Sequence, residues 1–390
     1  MVICIAGRLP SISRAEIERS FGAARTQVFS PGSVVVDTGS FDIETYGSIV
    51  KAGRVVAEFP VSSWHEVSKK IAHHYTTNWK DASGKITLGI SVYEKDVSSR
   101  DIQQCAIIIK SKLKSRGVSM RVVPNAEPVL SSATSHHNKL GLSANKVELL
   151  VVFGKKSVIV AESVGAQNIT ALAARDQARP YTDAFVGMLP PKLALTMVNL
   201  TGIRQSDSND LTVLDPFCGT GVILQEASLL GYRAYGTDLS EKMVDYSTKN
   251  LAWLAKKYPS ITPARVHHGD AIETTWQPPI DAVASEVYLG QPFSAFPAPD
   301  KLTQVVGVCD MVFSKFLQNI APQLEANTPL CLAIPAWRDT QGNLTHLPSS
   351  EKVGALGFKL IHLQHVAPEE LVYFREDQVV ARQLLLLCKK

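Results

Sequence analysis

The chain has 390 residues, a length that predicts two or three domains rather than one. Its 45% hydrophobic and 19% charged residues are typical of globular proteins and argue against a disordered chain. The six cysteines show neither CxxC nor metal-ligand spacing, which favours a reduced, cytoplasmic protein and predicts no metal site. No apolar run approaches the roughly 20 residues that span a bilayer, and the opening MVICIAGRLP predicts a first strand rather than a signal peptide.

The net charge of +4 is unevenly distributed along the chain. Residues 1–165 contain 21 lysines and arginines against 14 aspartates and glutamates, whereas residues 166–390 contain 19 against 22. A basic half beside a mildly acidic half suggests a polyanionic partner for the first half. Uneven surface charge without any partner would give the same counts, so charge alone leaves both interpretations open.

The first half is predicted to form two α+β domains. Residues 1–60 follow the order strand, helix, hairpin and strand, which suits a small ferredoxin-like unit. Residues 61–165 alternate helices and strands and end in a hairpin that turns at Gly154 and Lys155.

Two basic segments of residues 61–165 are candidates for contact with RNA. One lies at the C-terminal end of the helix SSRDIQQCAIIIKSKLKSRG, where cations also complement the helix dipole. The other is the polar segment PVLSSATSHHNKLG, which is predicted to be a loop. A solvated surface is the alternative for both. The candidate residues are Lys112, Lys114, Arg116, His137 and Lys139.

The second half has the pattern of an α/β domain. Residues 166–184 are predicted to be a linker with one helical segment, and residues 185–390 alternate strands with helices. This alternation predicts a doubly wound, Rossmann-like parallel sheet. The last two strands lack a long helix between them and are predicted to form an antiparallel hairpin at one edge.

A glycine turn in VLDPFCGTGV (213–222) is the first candidate binding motif. It stands between a strand and a helix, so Gly219 and Gly221 let the backbone approach a ligand at the helix N-terminus. The turn is neither a Walker loop nor the dinucleotide motif GxGxxG, because VILQEA follows without a third glycine.

Three acids follow three consecutive strands, and together with the glycine turn they predict a nucleotide-like ligand. Asp215, Asp238 and Asp270 end the strands of LTVLD, YGTD and HHGDA. Asp238 is placed to accept both ribose hydroxyls, and Asp270 to meet an adenine amino group. The alternative is that these aspartates only end strands where a loop begins. That alternative would explain one or two of the three aspartates.

The motifs DPFCGTG, YGTD and GDA resemble those of class I S-adenosylmethionine-dependent methyltransferases. The segment RPYTDAFVGMLPPKLALTMVNL resembles, more narrowly, the THUMP-domain enzymes that methylate the exocyclic amine of guanosine at position ten of tRNA. The resemblance implies a THUMP domain over residues 61–165, tRNA as partner and S-adenosylmethionine as cofactor, and it leaves open an accessory subunit. The implied cofactor contacts are Asp215, Phe217, Gly219, Gly221, Asp238, Leu239, Asp270, Ala271, Gly187 and Met188.

The fourth strand departs from that family in IDAVASEVYLGQ. Family members end this strand in Asp or Asn, two prolines, an aromatic residue and glycine, whereas here Glu286 takes the acid's place and Tyr288 stands one position before the aromatic's. Glu286 is the candidate acceptor for an exocyclic amine, and Tyr288 the candidate for stacking on the base. The departure leaves open the same reaction, a different base or position, or an inactive enzyme that still binds RNA. A nicotinamide dehydrogenase is disfavoured by the missing third glycine and by Asp270.

Overall fold

The computed structural model describes residues 1–183, 189–204, 210–262, 264–293 and 295–390. The chain divides into two compact units. The first contains Met1–Ile17, Phe21–Glu44 and Ser48–Ala171, and the second contains Glu18–Ser20, Thr45–Gly47 and Leu172–Lys390. In the described ranges no helix is long and apolar enough to cross a membrane.

The first unit is built on one mixed sheet of eight strands. In chain order its helices and strands are β1 (Val2–Ala6), α1 (Pro10–Phe21), β2 (Thr26–Ser30), β3 (Ser33–Val36), β4 (Ile49–Pro60), α2 (Trp64–Asn78), β5 (Ile86–Tyr93), α3 (Ser99–Lys114), β6 (Met120–Val122), α4 (Ser132–His137), β7 (Lys146–Phe153) and β8 (Ser157–Ala166). The strand order is β2-β3-β1-β4-β8-β7-β5-β6. Only the pairs β5–β6 and β5–β7 are parallel.

This sheet includes strands from both predicted N-terminal domains. The antiparallel pairing of β4 with β8 joins residues 1–60 to residues 61–165 in one continuous sheet. The predicted hairpin at Gly154 and Lys155 is confirmed by the pairing of β7 with β8. The assignments as ferredoxin-like and THUMP domains, and the boundary at residue 60, stay predictions.

Local sequence signals explain where the helices of the first unit begin. Ser63 and Ser98 precede α2 and α3, and their hydroxyls accept the amide hydrogens of Glu66 and Asp101. Such caps satisfy amide groups that have no partner inside the helix. The segment PVLSSATSHHNKLG was predicted to be a loop throughout. It instead contains the short helix α4, which is capped by Ser131.

A buried ion pair lies inside the sheet of the first unit. Lys51 of β4 donates to Glu148 of β7, to the carbonyl oxygen of Leu130 at 2.6 Å, and weakly to the hydroxyl of Ser91 at 3.4 Å. The side chains of Lys51 and Glu148 are 2% and 0% exposed. An unpaired charge at this depth would be strongly unfavourable, so each residue requires the other.

The described residues of the second unit form a sheet of nine strands with a parallel portion. In chain order its elements are α5 (Ile169–Gln177), α6 (Pro191–Thr201), β9 (Thr212–Asp215), α7 (Val222–Leu229), β10 (Arg233–Asp238), α8 (Glu241–Lys257), β11 (Ala264–His268), β12 (Ala282–Glu286), α9 (Pro299–Ile320), β13 (Pro329–Arg338), β14 (Leu344–Thr345), β15 (Phe358–Leu360), β16 (Val372–Tyr373) and β17 (Val380–Lys389). The strand order is β11-β10-β9-β12-β13-β17-β15, with β14 on β13 and β16 on β17.

The order of the parallel strands fixes where a ligand can bind. The chain proceeds from β9 outward through β10 to β11 and then returns to β12 on the other side of β9. This reversal opens a crevice at the carboxyl ends of the strands, where open α/β sheets bind ligands. The predicted α/β sheet is therefore confirmed. The predicted antiparallel edge is confirmed by β15 and β17, although the first of these strands has only three residues.

Candidate active site

A cavity of about 800 Å³ lies at the carboxyl ends of β9, β10 and β12. Nine of the residues selected from the sequence line it, and each follows or ends a strand. These are Asp215, Phe217, Gly219, Asp238, Leu239, Asp270, Ala271, Glu286 and Tyr288. The structure thus brings the candidate cofactor residues and the candidate catalytic residues to one place.

The glycine turn between β9 and α7 needs both of its glycines. Gly219 has φ +52° and Gly221 has φ +82°, a left-handed region that favours glycine. A Cβ at Gly221 would approach the Ser247 hydroxyl to 3.1 Å. That hydroxyl donates to the carbonyl oxygen of Gly219 at 2.6 Å. Gly221 therefore shapes the start of α7 rather than the cavity wall.

Asp238 at the end of β10 holds the glycine turn through its carboxylate. One oxygen accepts the amide hydrogen of Gly219 at 2.9 Å, and the other accepts that of Ser240 at 2.9 Å. Burial raises the pKa of Asp238, while the two amides and the nearby His268 oppose that rise. Leu239, which follows, is 65% exposed and presents an apolar side chain to the cavity.

Asp215 at the end of β9 is buried more deeply, with 2% of its surface exposed. Its carboxyl group accepts a hydrogen bond from the Ser285 hydroxyl at 2.6 Å and a longer one from the amide of Phe217 at 3.3 Å. Burial raises the pKa of Asp215 to about 7, and the negative charges of Asp238 and Glu286 act in the same direction. Burial thus makes Asp215 a much weaker acid than an exposed aspartate.

Asp270 follows β11 and orders the turn on that side of the cavity. Its side chain accepts the amide hydrogen of Ile272 at 3.0 Å, and its carbonyl oxygen accepts that of Thr274 at 2.7 Å. Ala271 is 3% exposed and packs below this turn. The half-buried Asp270 carboxylate retains acceptor capacity toward a ligand.

Glu286 is the last residue of β12 and forms an ion pair with Arg382 of β17. The Nε–H of Arg382 donates to a carboxylate oxygen of Glu286 at 2.5 Å, and the two side chains are 8% and 13% exposed. Burial raises the pKa of Glu286, and the positive charge of Arg382 opposes that rise. The pair places a carboxylate at the cavity wall with a cation directly behind it.

The turn after Glu286 presents an aromatic ring and has no proline between Glu286 and Gly290. The amide of Val287 donates to the carbonyl oxygen of Ala333 at 3.0 Å, which extends the pairing of β12 with β13. Tyr288 is 47% exposed, whereas Val287 is buried. Gly290 has φ +79°, and a Cβ there would meet Val305 at 2.7 Å. Backbone pairing and Gly290 thus fix this turn.

The candidate RNA-binding residues lie in the first unit and are all exposed. Lys112 and Lys114 stand in the last turn of α3, while His137 and Lys139 stand at the end of α4 and just beyond it. Arg116 also has a structural role, since its guanidinium donates to the carbonyl oxygen of Thr76 at 2.8 Å.

Two candidate cofactor residues, Gly187 and Met188, lie outside the described residues. The described residues that flank them, Asp183 and Leu189, both line the cavity.

Sequence reasoning missed Ser285 and Arg382. Each residue carried a weak signal in the sequence. Ser285 is a polar residue near the end of a buried strand, and Arg382 is an arginine shortly before the apolar run LLLL, and both are unusual for a core.

Comparison with known proteins supports a methyltransferase fold for the second unit. Residues 179–258 match the family model described as UPF0020, an RMKL-like methyltransferase domain. The tRNA (guanine(10)-N2)-dimethyltransferase of Methanothermobacter thermautotrophicus is 33% identical over 168 residues, which are 43% of this chain and 45% of that protein. The enzyme of the same name from Pyrococcus abyssi is 40% identical over 79 residues, 20% of this chain and 22% of that protein. The chain thus spans less than half the length of these curated relatives.

A solved structure resembles the whole chain. The crystal structure of TrmN from Thermus thermophilus superimposes with a TM-score of 0.50 at 16% identity, covering 100% of this chain and 99% of that one. At this identity the likeness concerns the fold alone.

Proposed function

We propose that the chain is an S-adenosylmethionine-dependent methyltransferase that acts on the exocyclic amine of a guanosine in cytoplasmic tRNA. The observation that carries this proposal is the convergence of Glu286 with Asp215, Asp238 and Asp270 on one cavity. The relatives named for guanine-N2 methylation of tRNA support the choice of substrate.

The cavity fits the cofactor in size and in chemistry. Its volume of about 800 Å³ lies within the roughly 300–1,000 Å³ of small-molecule sites. Gly219 lines the cavity in a left-handed backbone conformation that favours glycine, Asp238 would accept ribose hydroxyls, and Asp270 would accept an adenine amino hydrogen. Leu239 and Ala271 would cover the base. The bound cofactor supplies an electrophilic methyl group.

Glu286 would prepare the attacking nitrogen. The lone pair of an exocyclic amine is delocalised into the ring, so the nitrogen must be rehybridised and aimed before it can attack. A carboxylate that accepts an amine N–H does both. As the nitrogen–methyl bond forms, the carbon–sulfur bond breaks with its electron pair returning to sulfur, and one amine proton leaves toward Glu286 or water. Tyr288, exposed beside Glu286, would stack on the base.

The first unit would bind tRNA mainly through phosphates. Exposed cations at the C-terminal end of α3 suit this role, and such contacts give affinity that is salt-dependent and poor in sequence information. Replacing Lys112 and Lys114 with Gln should weaken tRNA binding and reduce the slope of log K against log salt by about 2. Filter binding across a salt series measures both, and an unchanged slope would remove these lysines from the interface.

The test of the proposed function is methyl transfer from labelled S-adenosylmethionine to unmodified bulk tRNA, followed by nucleoside analysis. Labelled N2-methylguanosine or its dimethylated form is the expected product. A different methylated nucleoside would show that the altered turn after Glu286 has changed the base. Absence of label, together with calorimetric binding of S-adenosylmethionine, would contradict a self-sufficient enzyme.

A further inference from the structure

Two charged residues in the wall of the cavity form an ion pair with each other. The ammonium group of Lys242, in the first turn of α8, donates to the carboxylate of Asp183 at 2.7 Å. Both residues line the cavity, and their side chains are 58% and 10% exposed. An ammonium group has several N–H donors and a carboxylate accepts several hydrogen bonds, so each can bind a ligand while it holds the other.

A buried amide fixes the chain just before Asp183. Asn250 of α8 is fully buried, and its side-chain oxygen accepts the amide hydrogen of Tyr181 at 3.1 Å. The side-chain nitrogen of Asn250 donates to the carbonyl oxygens of Tyr181 and Thr220, each at 2.9 Å. Two residues of chain span at most about 7 Å, so Asp183 lies close to the glycine turn that contains Thr220.

One face of α8 places the two members of the pair. Lys242, Tyr246 and Asn250 follow one another at intervals of four residues and therefore lie along that face. The ring of Tyr181 packs against the ring of Tyr246 with 5.0 Å between their centroids. The chain that leads to Asp183 thus runs along α8 from its buried contact with Asn250 toward Lys242 at the cavity.

The pair adjoins the part of the cavity that the methionine end of the cofactor would occupy. In the proposed function Asp270 meets the adenine and Asp238 the ribose, so the methionine end would lie toward the glycine turn. This end carries an ammonium group and a carboxylate on the same carbon atom. A neighbouring cation and anion in the wall can bind that zwitterion, because each faces the group of opposite charge.

We propose that Asp183 and Lys242 bind the amino-acid end of S-adenosylmethionine. Asp183 accepts a hydrogen bond from its ammonium group, and Lys242 donates one to its carboxylate. This inference rests on the proposed function and adds two residues to the cofactor site. The alternative is that the pair only fastens the chain before Asp183 to α8. The two roles differ in one respect, since only direct contact makes the effect of breaking the pair depend on which groups the ligand carries.

The experiment measures by calorimetry how the full chain binds three ligands that differ in their amino-acid end. S-adenosylmethionine has both charged groups, its decarboxylated form keeps the ammonium group alone, and 5′-methylthioadenosine has neither. The variants are Lys242→Gln, the conservative Lys242→Arg and Asp183→Asn. The control is Lys256→Gln, which removes the same charge from the last turn of α8. Among the described residues, Lys256 is exposed and is not part of the cavity wall.

We expect Lys242→Gln to weaken the binding of S-adenosylmethionine by about 3–10-fold, between the effects of an exposed ion pair and of a hydrogen bond to a charged group. It should not weaken the binding of the other two ligands, which lack the carboxylate. Lys242→Arg keeps the cation and should retain most of the affinity. Asp183→Asn should weaken the binding of both ligands that carry the ammonium group and leave 5′-methylthioadenosine unaffected. Lys256→Gln should match the wild type throughout.

Two results would overturn the inference without affecting the proposed function. Equal losses of Lys242→Gln on all three ligands would leave the pair only as a support for the cavity wall. Wild-type affinities of Lys242→Gln for all three ligands would remove Lys242 from the cofactor site. Failure of the wild type to bind S-adenosylmethionine would instead overturn the proposed function, and this inference with it.

Discussion

Each of the two units buries a glutamate against a cation, but the two cations are used to different extents. The ammonium of Lys51 in the first unit has three acceptors, namely Glu148, Ser91 and the Leu130 carbonyl oxygen. Among the described residues, the guanidinium of Arg382 in the second unit donates to Glu286, which lines a cavity. A cation with all donors occupied can stabilise a fold, whereas one with donors to spare can also bind a ligand. The first pair lies wholly inside a sheet, whereas the second has one member at a cavity wall.

The largest expected effect is on stability, at Lys51. Lys51→Met should lower the free energy of unfolding of the first unit by about 3–5 kcal/mol, because it leaves Glu148 buried without a cation. Hydrogen exchange followed by mass spectrometry measures each unit separately in the full chain. The double variant Lys51→Met with Glu148→Leu should recover most of the loss. If Lys51→Met alone were as stable as the wild type, the Lys51–Glu148 pair would not have the stabilising role that distinguishes it from the Glu286–Arg382 pair.

The next effect is on turnover, at Glu286. Glu286→Ala should leave S-adenosylmethionine affinity nearly unchanged and reduce methyl transfer at least about a hundredfold, in line with a positioned acid–base group. Glu286→Gln keeps the shape and one acceptor oxygen, so it is the matched control and should retain more activity. Calorimetry and single-turnover kinetics give the two quantities. Full activity of the alanine variant would place Glu286 in the structural class with Glu148.

The smallest effect over any single pH unit concerns Asp215, a buried carboxyl group that has no cation among the described residues. Its pKa of about 7 exceeds that of an unfolded chain, so the folded state binds the extra proton. Its contribution is therefore fully present below about pH 4 and is lost as pH rises through 7. Relative to Asp215→Asn, the wild type should lose up to about 1.4 kcal/mol per pH unit inside this window. Urea unfolding of both proteins from pH 5 to 8 measures how the free energy of unfolding changes with pH. Parallel plots for the wild type and Asp215→Asn would contradict a raised pKa for Asp215.

The sequence predicted the parts of the candidate site that depend on neighbours along the chain. Asp215, Asp238 and Asp270 were identified because each ends a strand, and the carboxyl ends of parallel strands meet at one edge. The glycine turn was identified because Gly219 and Gly221 stand between a strand and a helix. Both signals are local, and both led to residues that shape the cavity or its supporting turn.

The sequence could not predict contacts that depend on register across the sheet. Arg382 reaches Glu286 only because β17 pairs with β13 so that Pro335 lies opposite Arg382. Likewise, Lys51 and Glu148 come from strands that are separated in the sheet by β8. No spacing in the sequence encodes either pairing. The helix α4 was missed for a different reason, since six residues are too few to show a helical period.

The antiparallel strand β17 has a consequence for the order in which the protein is made. It is synthesised after the cofactor motifs and Glu286, yet it occupies an interior place in the sheet between β13 and β15. A nascent chain that has emerged only through β13 therefore carries the acids that line the cavity but lacks the guanidinium that is paired with Glu286. Insertion of β17 both fills the place between β13 and β15 and supplies Arg382, so the cation beside Glu286 is added only after the strands that carry the cavity's acids have been made.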